Sequence, residues 1–373
     1  MRVALDVSSA PAHLAGAGRY MRELADRLPG EDVATTLVTR RHDTKRWSAW
    51  SPAATLAPIV PDQRVPRLVY EAWGLGTSAT ARRADVWHAP HYTMPRRGST
   101  PTVVTVHDLT FFTNPEWHER SKVSFFRRAL RYSASHASVV VSVSDFTARL
   151  IDDFLPDHAP VVVAPHGVDL RHFSLEGFED EALFRAHALP VGVPYVLFVG
   201  TAEPRKGLDV LLRAFDEIAR GDSSLELWIA GQAGWGARVV DDQLLEPVAR
   251  SRIRRLGFVP DEVLPALLRR SRLVAYPSRG EGFGLPVLEA LACGAMVVTS
   301  RATVMADVAD GAATLATPGD ETELRDALAS TLALNDEARA LRSRVGRARA
   351  SHFTWDASLA QHLAAYHLAL GGG

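Results

Sequence analysis

Cysteine is nearly absent: Cys293 is the only one in 373 residues, so no disulfide can close within the chain and no cysteine-rich metal site is available. That usage fits a reducing compartment, and a cytoplasmic protein is expected. An excess of either charge is lacking too. With 42 Lys and Arg against 43 Asp and Glu the formal net charge is -1, which argues against bulk binding to nucleic acid. No run approaches the ~18 uncharged apolar residues that span a bilayer. The opening "MRVALDVSSAPAHLAG" holds an apolar run too short for a secretory signal. Asp-x-Asp triplets are missing and the histidines lack zinc spacing, so no metal and no cofactor are expected.

What is present suffices for large cores: 47% of residues are hydrophobic and 23% charged. Short β-branched runs alternate with longer amphipathic ones. Strands are predicted at 3–7, 33–38, 86–88, 102–106, 139–142 and 161–164, then at 195–199, 225–230, 253–256, 273–276 and 296–299. Continuous apolar strands separated by helices such as 208–219 indicate parallel sheets covered on both faces. The polar, proline-bearing stretch "HGVDLRHFSLEGFEDEALFRAHALPVGVP" divides the series. The expected class is α/β, with two Rossmann-like doubly wound domains at 1–170 and 171–350. A final segment, 351–373, carries helical spacing in "FTWDASLAQHLAAYHLAL" and is expected to pack back toward the domain seam. Open parallel sheets bind ligands beyond the carboxyl ends of their strands, so a cleft faced by both domains is the expected site.

In "RLVAYPSRGEGFGLPVLEALACGAMVVTS" a strand is followed by a glycine-rich loop, and Pro286 suits the first residue of a helix. Glu281 then lies in the loop and Glu289 in the first helical turn. The amides of Phe283, Gly284 and Leu285 fall where partial positive charge collects, and glycines at 282 and 284 admit a ligand close to the backbone. A phosphate or diphosphate fits such a place. Because a carboxylate repels phosphate, the glutamates should face hydroxyls instead, and one carboxylate can accept two vicinal hydroxyls of a ribose or a hexose. Sugar, phosphates and ribose in that order describe a nucleotide sugar. The competing reading makes Glu289 a dipole-favoured helix residue and Glu281 an ordinary loop residue.

"YVLFVGTAEPRKGLDVLL" places Arg205 and Lys206 in a loop at a strand's carboxyl end, where two cations can meet the charge growing on a departing diphosphate. The alternative is a solvated basic pair. "LWIAGQAGWG" ends another strand with glycines at 231, 234 and 236, which suggests close ligand approach. In "LGFVPDEVLPALLRRS" the backbone of 257–260, including Phe258 and Val259, could hold a base edge.

Together "EPRKG", "AGQAGWG", "GFVPDEVLPALLRRS" and "EGFGLPVLEALACG" resemble the family-four retaining glycosyltransferases of the GT-B fold, and the resemblance runs through nearly the whole chain. It implies an acceptor-side first domain and a second domain that holds the nucleotide-sugar donor. Glu281 matches the glutamate that touches the transferred sugar, Glu289 the one on the ribose, and Arg205 with Lys206 the phosphate-binding pair. Some members carry an arginine after the strand glycine where this chain has Thr201. The glycine-rich loop of the family maps onto Gly16 and Gly18 in "AGAGRYMRELADRL", with Arg19 and Tyr20 continuing the pattern. Met21 occupies the third glycine position of a dinucleotide fingerprint, which argues against nicotinamide binding. His107, after the strand in "TVVTVHDLTFFTNPEWH", matches the histidine presented to donor sugar or acceptor. His88 and His91 are expected on the acceptor side, and "APHGVDLRHF" resembles the interdomain signature, with His166 where asparagine is also common.

"ERSKVSFFRRALRYSASHA" sets Lys122, Arg127, Arg128 and Arg131 beside Phe125 and Phe126 on one predicted helix. Two readings stand: peripheral contact with the inner face of a membrane, or aromatics in the core and cations in water. The expected activity is metal-independent, retaining transfer of a hexose from GDP-mannose, or from UDP- or ADP-glucose, to a glycan, lipid-linked or small-molecule acceptor. The alternatives are a sugar-nucleotide epimerase or hydrolase on the same fold, and a binding module without catalysis.

Overall fold

Runs such as Thr102–Val106 and Val139–Ser142, apolar without alternation, can bury both their faces only inside a sheet covered by helices on each side. They do so in the computed structural model of the chain, which describes residues 1–11, 16–30, 32–232 and 250–371. The chain divides into two units: Met1–Gly167 with Thr354–Gly373, and Val168–Phe353.

The first unit is built on seven parallel strands: β1 (Arg2–Asp6), β2 (Ala34–Arg40), β3 (Thr55–Val60), β4 (Val86–Ala89), β5 (Thr102–Val106), β6 (Val139–Ser142) and β7 (Val161–Val163). Their order is β3-β2-β1-β4-β5-β6-β7. The second carries β8 (Tyr195–Val199), β9 (Glu226–Ala230), β10 (Ile253–Gly257), β11 (Leu273–Tyr276), β12 (Val297–Ser300) and β13 (Thr314–Ala316), parallel in the order β10-β9-β8-β11-β12-β13. Each sheet therefore starts at a central strand, winds one way, and reverses once. The reversal lies between β1 and β4 in the first and between β8 and β11 in the second. At such a reversal the loops leaving neighbouring strands diverge to opposite faces and leave a crevice for a ligand.

Eleven strands lie within two residues of their expected ends. The two that were not expected, β3 and β13, are edge strands. β3 contains Pro58, tolerated at an edge because no ladder bond is needed there, and β13 has only three residues. Within the second unit, Leu208, Leu211 and Phe215 of the helix Leu208–Gly221 pack with Val196, Phe198, Leu227 and Val298. The helix Trp355–Ala369 belongs to the first unit, where Ala365 and Tyr366 are fully buried with Val3, Val103 and Val139. The second unit begins at Val168, whose amide donates to the Phe353 carbonyl at 3.0 Å. Arg347 ties this stretch down by donating to the carbonyls of Leu170, Phe173 and Ala292. Among the described residues no helix is long and apolar enough to cross a membrane.

Candidate active site

The crevice of the second sheet is lined by the loops that leave β8 and β11, and Lys206 and Glu281 meet there. After β8 the chain makes a short helical turn, Pro204–Lys206, and closes on Gly207 in the left-handed region at φ 69°. A Cβ at Gly207 would sit 2.1 Å from the Pro277 carbonyl oxygen, so only glycine lets this loop lie against the one after β11. Arg279 braces the same junction, pairing with Asp209 at 2.8 Å and donating to the Pro204 carbonyl. Gly207→Ala is expected to cost about 2 kcal/mol of stability and to reduce activity with it. Denaturant unfolding and donor turnover of the purified variant measure both.

Lys206 Nζ donates to Glu281 Oε1 at 2.5 Å and to Tyr276 OH at 2.6 Å. The Tyr276 hydroxyl donates to the same Oε1 at 2.9 Å, and Ser278 Oγ stands 2.9 Å from it. Arg205 Nη1 is 2.8 Å from Glu281 Oε2, while its Nε donates to Glu203 at 2.9 Å. Two cations and two carboxylates thus balance in a site where the Lys206 and Glu281 side chains are 12% and 11% exposed. Burial alone would raise the Glu281 pKa, but Arg205 and Lys206 outweigh it and hold the carboxyl at about 2. Lys206 is pulled below its ordinary value, first by burial and then by the Arg205 charge, against the opposing pull of Glu281. Two of the three Nζ protons are committed; among the described residues the third has no acceptor.

Gly284, at φ 99°, precedes the helix Leu285–Ala292, so Pro286 is its second residue and Glu289 its fifth. Glu289 therefore lies one turn in, not in the first turn as the sequence pattern predicts. It is buried, and its charge helps push the Cys293 thiol up to about 12, an effect led by burial. Phe283 is buried with its ring edge against Phe353 at 5.7 Å, and Leu285 is buried beside it in sequence. Thr201 follows β8, and its carbonyl accepts the Glu203 amide at 2.8 Å. Gly231, expected to admit a ligand, has another reason to be small: a Cβ there would lie 2.0 Å from the Gly200 carbonyl oxygen. Gly234 and Gly236 lie outside the described residues. At the end of β10 the Gly257 carbonyl accepts the Gly231 amide, and beyond it the Pro260 carbonyl accepts the Val263 amide. Phe258, with an exposed ring, and the half-buried Val259 stand between them.

In the first unit Gly16 and Gly18 are not in a loop; they open the helix Gly16–Arg27, and a Cβ at Gly16 would meet none of the described residues within 4 Å. His107 follows β5 and is buried, its Nε2 2.8 Å from the Pro90 carbonyl. Burial lowers its pKa, opposed by that bond and by Asp108, so the ring is neutral, Nε2 carries the proton and Nδ1 is an acceptor. This tautomer leaves Nδ1 as the ring atom that can accept a hydrogen bond. His88, expected on the acceptor side, is instead wholly internal. His362 Nδ1 faces the Ser358 carbonyl at 2.7 Å, so its Nε2 must accept from Tyr20 OH, also at 2.7 Å. Tyr20 OH accepts from Thr105 Oγ1 at 2.8 Å, which accepts from His88 Nε2 at 2.8 Å, and His88 Nδ1 accepts from Tyr366 OH at 2.8 Å. The chain of donors has one direction only.

Sequence reasoning missed two groups. Tyr276 and Ser278 complete the cage around Glu281, and the sign of it was a polar tip on the last residue of an otherwise apolar strand. Asp6, ending β1, meets Glu71 through Ser8 Oγ, at 2.6 and 3.1 Å, at the reversal point of the first sheet. Burial and the Asp6 charge lift Glu71 to about 7. Nothing in the spacing of positions 6 and 71 announces that pair. Of the expected basic-helix residues, Phe126 stacks on Phe111 at 4.5 Å while Phe125 is 47% exposed, so the two aromatics part company. Among the described residues no three His, Cys, Asp or Glu side chains are grouped to hold a metal.

Residues 14–172 match the family described as Glycosyltransferase Family 4, and residues 179–348 match Glycosyl transferases group 1. O-antigen chain mannosyltransferase B of Escherichia coli is 32% identical over 289 residues, which cover 76% of this chain and 74% of that protein. Sucrose-phosphate synthase from Thermosynechococcus elongatus has the same fold, with a TM-score of 0.80 at 20% identity over 100% of both chains. HepE of Anabaena, solved with UDP and glucose, gives a TM-score of 0.74 at 19% identity over 98% of each chain. With two doubly wound sheets of GT-B type and matches along both halves, the chain belongs to the group 1, family 4 glycosyltransferases and is a hexosyltransferase of that family.

Proposed function

We propose that the enzyme moves a hexose, mannose first, from a nucleoside diphosphate sugar to an acceptor hydroxyl, with retention and without a metal ion. The observation that carries this reading is Lys206, seated between Glu281 and Tyr276 with a third proton that no described residue accepts. Negative charge on the departing diphosphate peaks in the transition state, and a cation already fixed in place meets it without reorganising. Arg205 shares the load. Glu281 Oε1 is crowded by protein donors, so a sugar hydroxyl would reach Oε2. Glu289 would hold the ribose, Phe258 and Val259 the base, and Gly16 and Gly18 the approach of the diphosphate. Thr201, Gly231, Phe283, Gly284 and Leu285 shape the donor walls. His107, with Nδ1 as acceptor, would receive a hydroxyl of the donor sugar or the acceptor.

Mannose from GDP-mannose is supported by the relative that is a mannosyltransferase, and UDP-glucose by the fold neighbour solved with that donor. Among the described residues no side chain is an evident covalent nucleophile, which favours front-face displacement with the leaving phosphate taking the acceptor proton. The test is a panel of nucleoside diphosphate sugars, read by melting temperature and by nucleotide release in excess chelator. One donor at about 100 times its Kd should add about 2.7 kcal/mol of stability. Its release should depend on acceptor and stay within twofold when chelator is added. Release that is as fast without acceptor, or that collapses with chelator, would contradict the reading.

A further inference from the structure

The helix Arg120–His136 and the turn before it border a cavity of about 690 Å³ within the first unit. Arg120, Arg127, Arg128 and Arg131 line it together with His118, and Glu116 is the one carboxylate of the lining. Several outward arginines elsewhere on this protein have carboxylate partners, as in Arg2–Asp85, Arg185–Glu181, Arg220–Asp216 and Arg325–Glu217. Among the described residues none of the four cavity arginines forms an ion pair, and Glu116 already accepts from Asn114. Arg127 is anchored by donating to the carbonyls of Phe111 and Phe112, and Arg131 lies 5.1 Å over the Phe112 ring. Arg120 and Arg128 are exposed. Four guanidinium groups around one hollow repel each other unless an anion joins them, and their planar forks suit phosphate oxygens.

The cavity also connects to the residues after β5. His118 stacks on Phe111 at 4.1 Å, with its Nε2 2.9 Å from Thr110 Oγ1. Thr110 Oγ1 donates to Asp108 at 2.7 Å, and Asp108 is the neighbour of His107. Two hydrogen bonds thus separate the arginine-lined wall from the loop expected to face sugar. We propose that this cavity binds a phosphate or diphosphate group carried by the acceptor. The acceptor half of that statement rests on the glycosyltransferase reading; the anion site does not.

The experiment is calorimetric titration of inorganic pyrophosphate into the full chain carrying Lys206→Ala, so that the donor cage does not compete. The same titration is run with Arg120→Gln and Arg128→Gln added. Losing two charge-assisted contacts should weaken binding about tenfold or more. Arg128→Lys, which keeps the charge, should recover part of it. Vesicles of phosphatidylglycerol, with phosphatidylcholine as control, then identify the source. Competition with pyrophosphate assigns a lipid-borne phosphate, and no competition assigns a soluble one; both support the site. Pyrophosphate that does not bind, or that binds equally to the arginine variants, overturns the proposal. Absence of donor turnover in the unsubstituted chain would end the glycosyltransferase reading and leave the pyrophosphate result standing.

Discussion

Lys206→Ala is expected to lower kcat by about 100- to 1,000-fold and to move the donor KM by no more than a few-fold. The asymmetry follows from where the charge is. In the bound donor the diphosphate charge is shared with the sugar bond, and Lys206 is already engaged by Glu281 and Tyr276. As the bond breaks the charge concentrates on the leaving oxygen, and the lysine's third proton becomes worth most. Lys206→Arg should recover little, because a planar fork does not fit between a phenol and a carboxylate set for a point charge. Steady-state kinetics with the best donor of the panel separates kcat from KM. Activity within a few-fold of the unsubstituted enzyme would remove Lys206 from the phosphate.

The second large effect concerns acid. His88, His107, His166 and His362 are buried, and burial leads the lowering of each pKa. A base whose folded pKa is depressed takes up protons more readily when unfolded, so stability is full above about pH 6.5 and falls as pH drops toward the folded value. For His362, brought from 6.5 to about 4, the loss between pH 7 and pH 5 is about 2 kcal/mol. Glu71 works in the opposite direction, since a raised carboxyl pKa gives stability that fades as pH rises toward 7, and it offsets about one histidine. Melting temperatures between pH 7.5 and 5 should therefore drop steeply, and His362→Gln should flatten the drop while lowering the melting temperature at pH 7.5. An unchanged slope in that variant would contradict the assignment of His362 as a buried neutral member of the Tyr20–Thr105–His88 chain.

How much of this was legible beforehand depended on whether a residue's role is local. Central strands such as Tyr195–Val199 and Leu273–Tyr276 could be read to the residue, because burial on both faces demands unbroken apolar runs. The edge strands with Pro58 or three residues carry no such demand. Arg205, Lys206 and Glu281 were readable as loop residues at strand ends, but their mutual pairing was not. It depends on Gly207 passing under Pro277, a contact between loops 70 residues apart that no short motif encodes. The histidines of the first half looked like ligand-facing residues in sequence. His88 proved internal because its partners Thr105 and Tyr366 come from β5 and the last helix, 17 and 278 positions away. The same holds for Asp6 and Glu71, whose shared serine joins two elements 63 residues apart.

The most direct measurement is the affinity of the unsubstituted enzyme and of Lys206→Ala for the nucleoside diphosphate and the nucleoside monophosphate of one base. If the Lys206–Glu281 cage receives the outer phosphate, the unsubstituted enzyme should prefer the diphosphate by about tenfold or more, and the variant should lose most of that preference. An equal preference in both proteins would contradict the account.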